Sequence, residues 1–233
     1  MNAQHFFSPC PRGLEELLAE DLAAAGAREI SPVPGGVGFA GNWECCYRVN
    51  LESRIATRVL WRVAAGGYRN ENDVYRLARE IDWSRLFDPA RSIRVYVTAI
   101  RSPLKSLDFI TLRVKDAVCD RFRADTGRRP NVDTAAPDVR IHLFLTAEAA
   151  TLYLDTSGEP LYLRGQKVAK VAAPVKENLA AGILRLSGWK PGVPLLDPIW
   201  GSRTFRLVGA SMGRGDPARR GRDGEELGIT PRR

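Results

Sequence analysis

The chain has 233 residues, 44% of them hydrophobic, which is enough for one large or two small domains with real cores. A net charge of +8 with a calculated pI near 9.6 points to a polyanionic partner, because neutralising phosphates releases counterions. The same composition argues against a membrane span, a secretory leader, a disulfide framework and a metal site: no apolar run approaches roughly 18 to 20 residues, Met1 to Gly13 has no basic segment ahead of an apolar one, and Cys10, Cys45, Cys46 and Cys119 form no CxxC pair and hold no ligand-like spacing to His5 or His142.

From the N-terminus, Gly13 to Leu22 repeats leucine at helical spacing, and Gly26 reads as its C-terminal stop. Pro34 to Phe39 reads as a turn leading into a strand, Asn42 as the N-cap of a helix through Tyr47, Val49 and Leu51, and Ala56 to Val63 as a further strand. The order β-α-β-α-β suggests half of a ferredoxin-like unit. After Gly66-Gly67 the pattern predicts a helix over 71–81, a strand over 92–99 and a longer helix over 106–124, whose Ile110, Val114, Ala117 or Val118 and Phe122 make one apolar face. Residues 125–136 read as a loop. The alternation Val139, Ile141, Leu143, Leu145, followed by 150–155, reads as a hairpin. Pro174 opens a helix with Val175, Leu179, Ile183 and Leu186 as its apolar positions and Gly188 as its end. An apolar run, Val193 to Leu196, follows as a strand, and from Gly213 onward no apolar period survives, which predicts disorder.

The positive charge is patterned. Between Arg91 and Pro130 ten Lys or Arg face four Asp, a local balance of +6, and Arg203 to Arg233 has eight Arg against four acids; the rest is close to neutral. The first stretch supplies the candidate phosphate contacts Arg101, Lys105, Arg113, Lys115, Arg121, Arg128 and Arg129. Its competing reading is a solvated face with helical ion pairs, such as Arg113 with Asp116. Asn131 and Asp133 are either RNA contacts or Asx turns.

Several motifs occur together and in order: Pro11-Arg12-Gly13-Leu14-Glu15-Glu16-Leu17-Leu18, Pro34-Gly35-Gly36-Val37, Val114-Lys115-Asp116-Ala117, Arg129-Pro130-Asn131-Val132-Asp133, Leu154-Asp155-Thr156-Ser157-Gly158, Leu163-Arg164-Gly165, and Ala173 to Ala181 with Ser187-Gly188-Trp189. Over roughly residues 5 to 204 the chain resembles the THUMP-containing methyltransferases that modify guanine N2 in bacterial 23S ribosomal RNA.

The resemblance implies an α+β fold. A ferredoxin-like subdomain spans 1–66, a THUMP RNA-binding domain 67–165, the first helix and strand of an incomplete Rossmann-type methyltransferase domain 166–212, and a disordered basic tail 213–233. It implies structured, ribosomal RNA as partner, with Asn131, Arg164 and Lys167 as further candidate RNA contacts, the last two, in the connector, being either RNA contacts or solvated charges; the lack of a span or leader makes the cytoplasm the expected location. The family's cofactor is S-adenosylmethionine. Its first cofactor motif, Asp-Pro-Met-Cys-Gly-Ser-Gly-Thr, stands here as Asp197-Pro198-Ile199-Trp200-Gly201-Ser202-Arg203-Thr204, so Asp197, Gly201 and Ser202 are a remnant and Arg203 occupies a glycine position. The family's Asn-Pro-Pro-Tyr acceptor motif occurs nowhere in the 233 residues. The expectation is therefore an RNA-binding module with no catalytic residue and no bound cofactor of its own, cut short or shifted in frame near residue 199. Alternatives are an active methyltransferase subunit completed by a partner, or a decayed fragment. Unpaired apolar edges at Val193 to Leu196 and in the helix from 174 predict weak self-association.

Overall fold

The computed structural model describes residues 3–163, 175–197 and 203–215. These divide between two compact units. One is built from the described residues up to Val59 together with those from Glu159 onward, and the other runs Leu60–Gly158.

The first unit begins with strand β1 (Gln4–Pro9), helix α1 (Glu15–Ala24), strands β2 (Arg28–Val33) and β3 (Gly36–Gly41) and helix α2 (Trp43–Glu52). Its strands lie in the order β2-β3-β1, all antiparallel. The helix expected at the start is present, with Leu18 and Leu22 buried, and Gly26 closes it at φ +89°, a left-handed conformation that disfavours any Cβ. Asn42 caps α2 as expected, its Oδ1 accepting from the Cys45 N–H at 2.8 Å. Strand β2 lacks the alternation by which a strand is read: nearly every residue is exposed, so no apolar face marks it. The carboxylate of Glu15 ties the turn down, accepting from the Gly13 N–H (2.7 Å) and the Gly35 N–H (2.8 Å).

Helices α5 (Glu177–Leu186) and α6 (Thr204–Gly213) belong to this same unit. The apolar face read from the sequence is out of phase with what is buried. Ala180, Ala181, Gly182 and Leu184 are interior, whereas Ile183 is 41% exposed and Leu186 63%. The reason is close approach: a Cβ at Gly182 would stand 2.3 Å from Leu14 Cδ1, so the small residues, not the large ones, face α1. Buried Asn178 donates to Ile55 O (3.2 Å) and Thr57 Oγ1 (3.1 Å). Arg185 reaches Asp21 and Glu20 of α1, each at 2.6 Å. Residues 193–197, expected as a strand, form neither helix nor strand; a strand needs a partner ladder, and none is supplied among the described residues. Thr204–Gly213 is helical where no helix was expected, with Thr204, Val208, Gly209 and Ser211 buried. Most of the segment expected to be disordered lies outside the described residues.

The second unit contains strand β4 (Leu60–Gly67), helix α3 (Glu71–Glu80), a short 3-10 turn (Trp83–Arg85), strand β5 (Ile93–Ala99), helix α4 (Leu107–Thr126) and strands β6 (Val139–Leu145) and β7 (Ala149–Asp155). Its strands are ordered β4-β7-β6-β5, with β5 parallel to β6 and the other pairs antiparallel. The inward residues of β6 (Val139, Ile141, Leu143, Leu145) and the expected face of α4 (Ile110, Val114, Ala117, Val118, Phe122) meet in one core, filled out by Trp83 and Phe87. Trp83 is fully buried and its indole N–H is satisfied by Ala78 O at 2.8 Å. The chain is thus an α+β protein, and among the described residues no helix is long and apolar enough to cross a membrane.

Candidate nucleic-acid interface

Helix α4 organises the basic surface. Ser106 caps its start, the hydroxyl accepting from the Phe109 N–H (3.2 Å), and Gly127 ends it in the left-handed conformation at φ 72°. That stop turns the chain back along β5. Ile93 N–H donates to Asn131 O (2.8 Å) and Asp133 N–H to Ile93 O (3.2 Å), so residues 131–133 run beside the strand as one parallel bridge. Between the outward face of α4 and this returning segment lies a cleft of about 460 Å³. Lys115, Asp116, Cys119, Asp120 and Arg123 line it from the helix, and Arg129, Pro130, Asn131 and Val132 from the segment.

Its charges are unequal in availability. Lys115 Nζ is 2.7 Å from Asp116, and Arg123 Nη1 is 3.5 Å from Asp120. Arg128 and Arg129 are exposed, and among the described residues neither has a carboxylate within ion-pair distance. Cys119, 7% exposed, has its thiol pushed up in pKa chiefly by burial, so it enters the cleft as a neutral thiol.

The residues singled out from the sequence therefore fall into groups. Lys115, Arg129 and Asn131 line one cleft. Arg101 and Lys105 stand exposed in the loop ahead of α4, Arg101 with a left-handed φ of 57°, and Arg128 is exposed on the turn after it. Arg113 is committed to α3, donating to Asn72 Oδ1 (2.8 Å) and lying over the Tyr75 ring at 4.4 Å, whereas Arg121 pairs with Asp125 of its own helix (2.6 Å) and reaches Arg79 O of α3 at 3.5 Å. Arg164, Lys167, Gly201 and Ser202 lie outside the described residues. Asp133 makes the Asx turn, accepting from the Ala135 and Ala136 N–H groups at 2.8 and 3.0 Å, which lowers its pKa. Arg123 was not singled out, although four-residue steps from Lys115 through Cys119 mark it as lying on the cleft side of the helix.

The remnant cofactor segment is described only at Asp197, which is half-buried, and from Arg203 onward. Arg203 sits at φ 57°, the left-handed backbone that the glycine of such a turn would adopt freely, but it carries a long cation there. The buried Thr204 directs its hydroxyl at Val175 O (3.4 Å). These residues do not fit a cofactor that needs close backbone approach. Among the described residues no His, Cys, Asp and Glu cluster could hold a metal ion.

Three family models match the chain in order: the RlmL ferredoxin-like domain over residues 5–60, the THUMP domain over 68–155, and the RMKL-like methyltransferase domain over 164–226. Among solved structures the chain is similar to a predicted N6-adenine-specific DNA methylase from Listeria monocytogenes, with 26% identity and a TM-score of 0.82 over 94% of this chain and 57% of that one. It is similar to a putative methyltransferase complexed with SAH, with 25% identity and a TM-score of 0.82 over 97% of this chain and 60% of that one. It is also similar to TrmN from Thermus thermophilus, with 26% identity and a TM-score of 0.72 over 90% of this chain and 62% of that one. The chain thus spans 57% to 62% of the length of these relatives.

Proposed function

Because the chain belongs to the THUMP-domain methyltransferases, joining an RlmL-type ferredoxin-like domain, a THUMP domain and an RMKL-like methyltransferase segment, we propose that it grips structured RNA as the recognition portion of a cytoplasmic, S-adenosylmethionine-dependent 23S ribosomal RNA guanine-N2 methyltransferase. On this reading it transfers no methyl group by itself. The observation that carries the reading is the cleft on α4, where Lys115, Arg123 and Arg129 converge beside the exposed Asn131 amide. Three cations around a concave surface hold phosphates, and the amide supplies a neutral donor and acceptor for sugar or base edges. Recognition through backbone and shape suits A-form RNA, whose base edges are hidden in a narrow groove. Holding RNA at a distance from the reacting base serves orientation: it fixes the substrate before the methyl donor supplies the chemistry.

The test is fluorescence anisotropy of the purified chain with a labelled ribosomal RNA hairpin and with duplex DNA of equal length, across a salt series. We expect preference for RNA with a salt slope of about −2 to −3, since each phosphate neutralised contributes about −0.9. Arg128→Ala with Arg129→Ala should abolish the preference. Equal, weak binding to both nucleic acids sinks the reading. S-adenosylmethionine titrated calorimetrically into the same chain should give no heat of binding; saturable binding would refute the claim that this chain does not hold the cofactor. The outward Ile183, Leu186, Val193 and Leu196, the last 87% exposed, support weak self-association. A sedimentation coefficient independent of concentration would count against it.

A further inference from the structure

The start of α4 exposes large apolar side chains close in sequence to the exposed cations Arg101 and Lys105. Phe109 is 49% exposed and Leu112 is 53%, while Val132, on the opposite wall of the cleft, is 51%. Phe109, Leu112, Asp116, Cys119 and Arg123 follow one another at steps of three, four, three and four residues, so they form a single stripe. The last three line the cleft. At 1.5 Å of rise per residue the stripe is ~21 Å long, with an aromatic ring at one end and an arginine at the other.

Arg101 and Lys105 precede the ring and Arg129 faces the far end, none of them with a carboxylate at ion-pair distance among the described residues. The acids on this side, Asp108, Asp116 and Asp120, are outnumbered by Arg101, Lys105, Lys115, Arg123 and Arg129, and Asp116 and Asp120 are already held by Lys115 and Arg123. A face meant only to display charge has no use for Phe and Leu half in water. A face meant for an apolar protein surface has no use for this excess of cations. Unpaired nucleotides carry both complements at once, a π surface and a phosphate, and their bases are free to leave the stack.

We propose that the outer face of α4 is a stacking track for unpaired nucleotides of RNA, with a base on the Phe109 ring and its phosphates passing Lys115 and Arg129. This rests on the RNA-binding reading above and goes beyond it by naming the form of RNA bound. Paired bases occupy one another's faces, so a duplex engages only the cations of the track.

The experiment is anisotropy of the full chain with a labelled single-stranded oligoribonucleotide and with its fully paired duplex, for wild type, Phe109→Ala and Phe109→Trp. Phe109→Ala should weaken single-strand binding about 5- to 150-fold, the effect of removing one stacking aromatic, with the salt slope unchanged. Phe109→Trp should retain the affinity, and duplex binding should be the same for all three. Because the side chain is half in solvent, an unchanged thermal midpoint is expected and checks that the fold is intact. Wild-type affinity of Phe109→Ala for the single strand overturns the proposal, as does an equal loss on the duplex. If wild type prefers RNA to DNA and Phe109→Ala is silent, the stacking track alone falls. If wild type does not distinguish RNA from DNA, the RNA-binding reading falls with it. Loss of self-association in Phe109→Ala with RNA binding untouched would make this face a protein contact and overturn the track.

Discussion

Asp116→Asn should tighten RNA binding. In the cleft the carboxylate holds Lys115 Nζ at 2.7 Å, so a phosphate must compete for the lysine and also approach a negative charge. At bulk dielectric a carboxylate ~6 Å from a phosphate repels it by about 0.7 kcal/mol, and a released lysine at similar range adds about as much attraction. The sum is about 1.4 kcal/mol, a gain of up to about tenfold at low salt. Stability should hardly change, because both side chains are about a third or more exposed (31% and 46%) and such a pair is worth under about 1 kcal/mol. The assay is anisotropy with the ribosomal RNA hairpin at low and moderate salt, paired with a thermal melt of the free protein. The gain should shrink as salt rises and fall to about half, in free energy, in a Lys115→Ala background, where only the lost carboxylate repulsion remains. Unchanged or weaker binding by a fully folded Asp116→Asn protein would refute the assignment of this cleft to phosphates.

Arg185→Ala should lower stability by ~2 kcal/mol, since it strands a half-buried Asp21 that keeps, among the described residues, Ser53 Oγ (2.8 Å) and the Arg54 N–H (3.2 Å) as donors; a thermal midpoint lower by about 4–8 °C is the readout. Glu20→Ala, removing the 66% exposed end of the same contact, should shift it by no more than about a quarter as much. Gly182→Val should cost about 1–3 kcal/mol in a urea melt, because its Cβ would press on the buried Leu14 from 2.3 Å; full stability would show that α5 does not dock as described. Glu15 is held below the usual carboxylate range, mainly by the backbone N–H of Gly35. Its contribution is therefore complete above the unfolded value of about 4.3 and lost as pH falls through the lower, folded one. Glu15→Gln should flatten that acid limb of a stability–pH curve, and an unaltered limb would remove Glu15 as its source.

What the sequence disclosed follows from where each element finds its partners. Asn42 and Ser106 cap helices through groups three residues away, and the apolar positions of α4 repeat along one helix, so both could be read from local spacing. Strand β2 earns its hydrogen bonds from β3 but buries almost nothing, so no hydrophobic period announces it. In α5 the conventional signal misleads: Ile183 and Leu186 look like core, yet proximity to Leu14 selects Ala180, Ala181 and Gly182 for the inside. Arg113 and Lys115 are equivalent in a charge count. They separate only when α3, some forty residues earlier, supplies Asn72 and Tyr75 to the first and nothing to the second.

The first unit is discontinuous in sequence, closing with helices that come after the whole of the THUMP unit. The THUMP unit has the opposite character: its opening and closing strands pair, Leu60 opposite Asp155, and all of its described strands and helices lie in one continuous stretch. During synthesis the second unit is therefore complete on the ribosome while the first still lacks the surface that covers Leu14. The order of completion is the reverse of the order of translation, and the N-terminal residues wait, partly uncovered, for α5 to emerge. A chain that stalls before α5 releases a finished second unit attached to an unfinished N-terminal one, which makes the Arg185–Asp21 contact a late step in maturation as well as a bond.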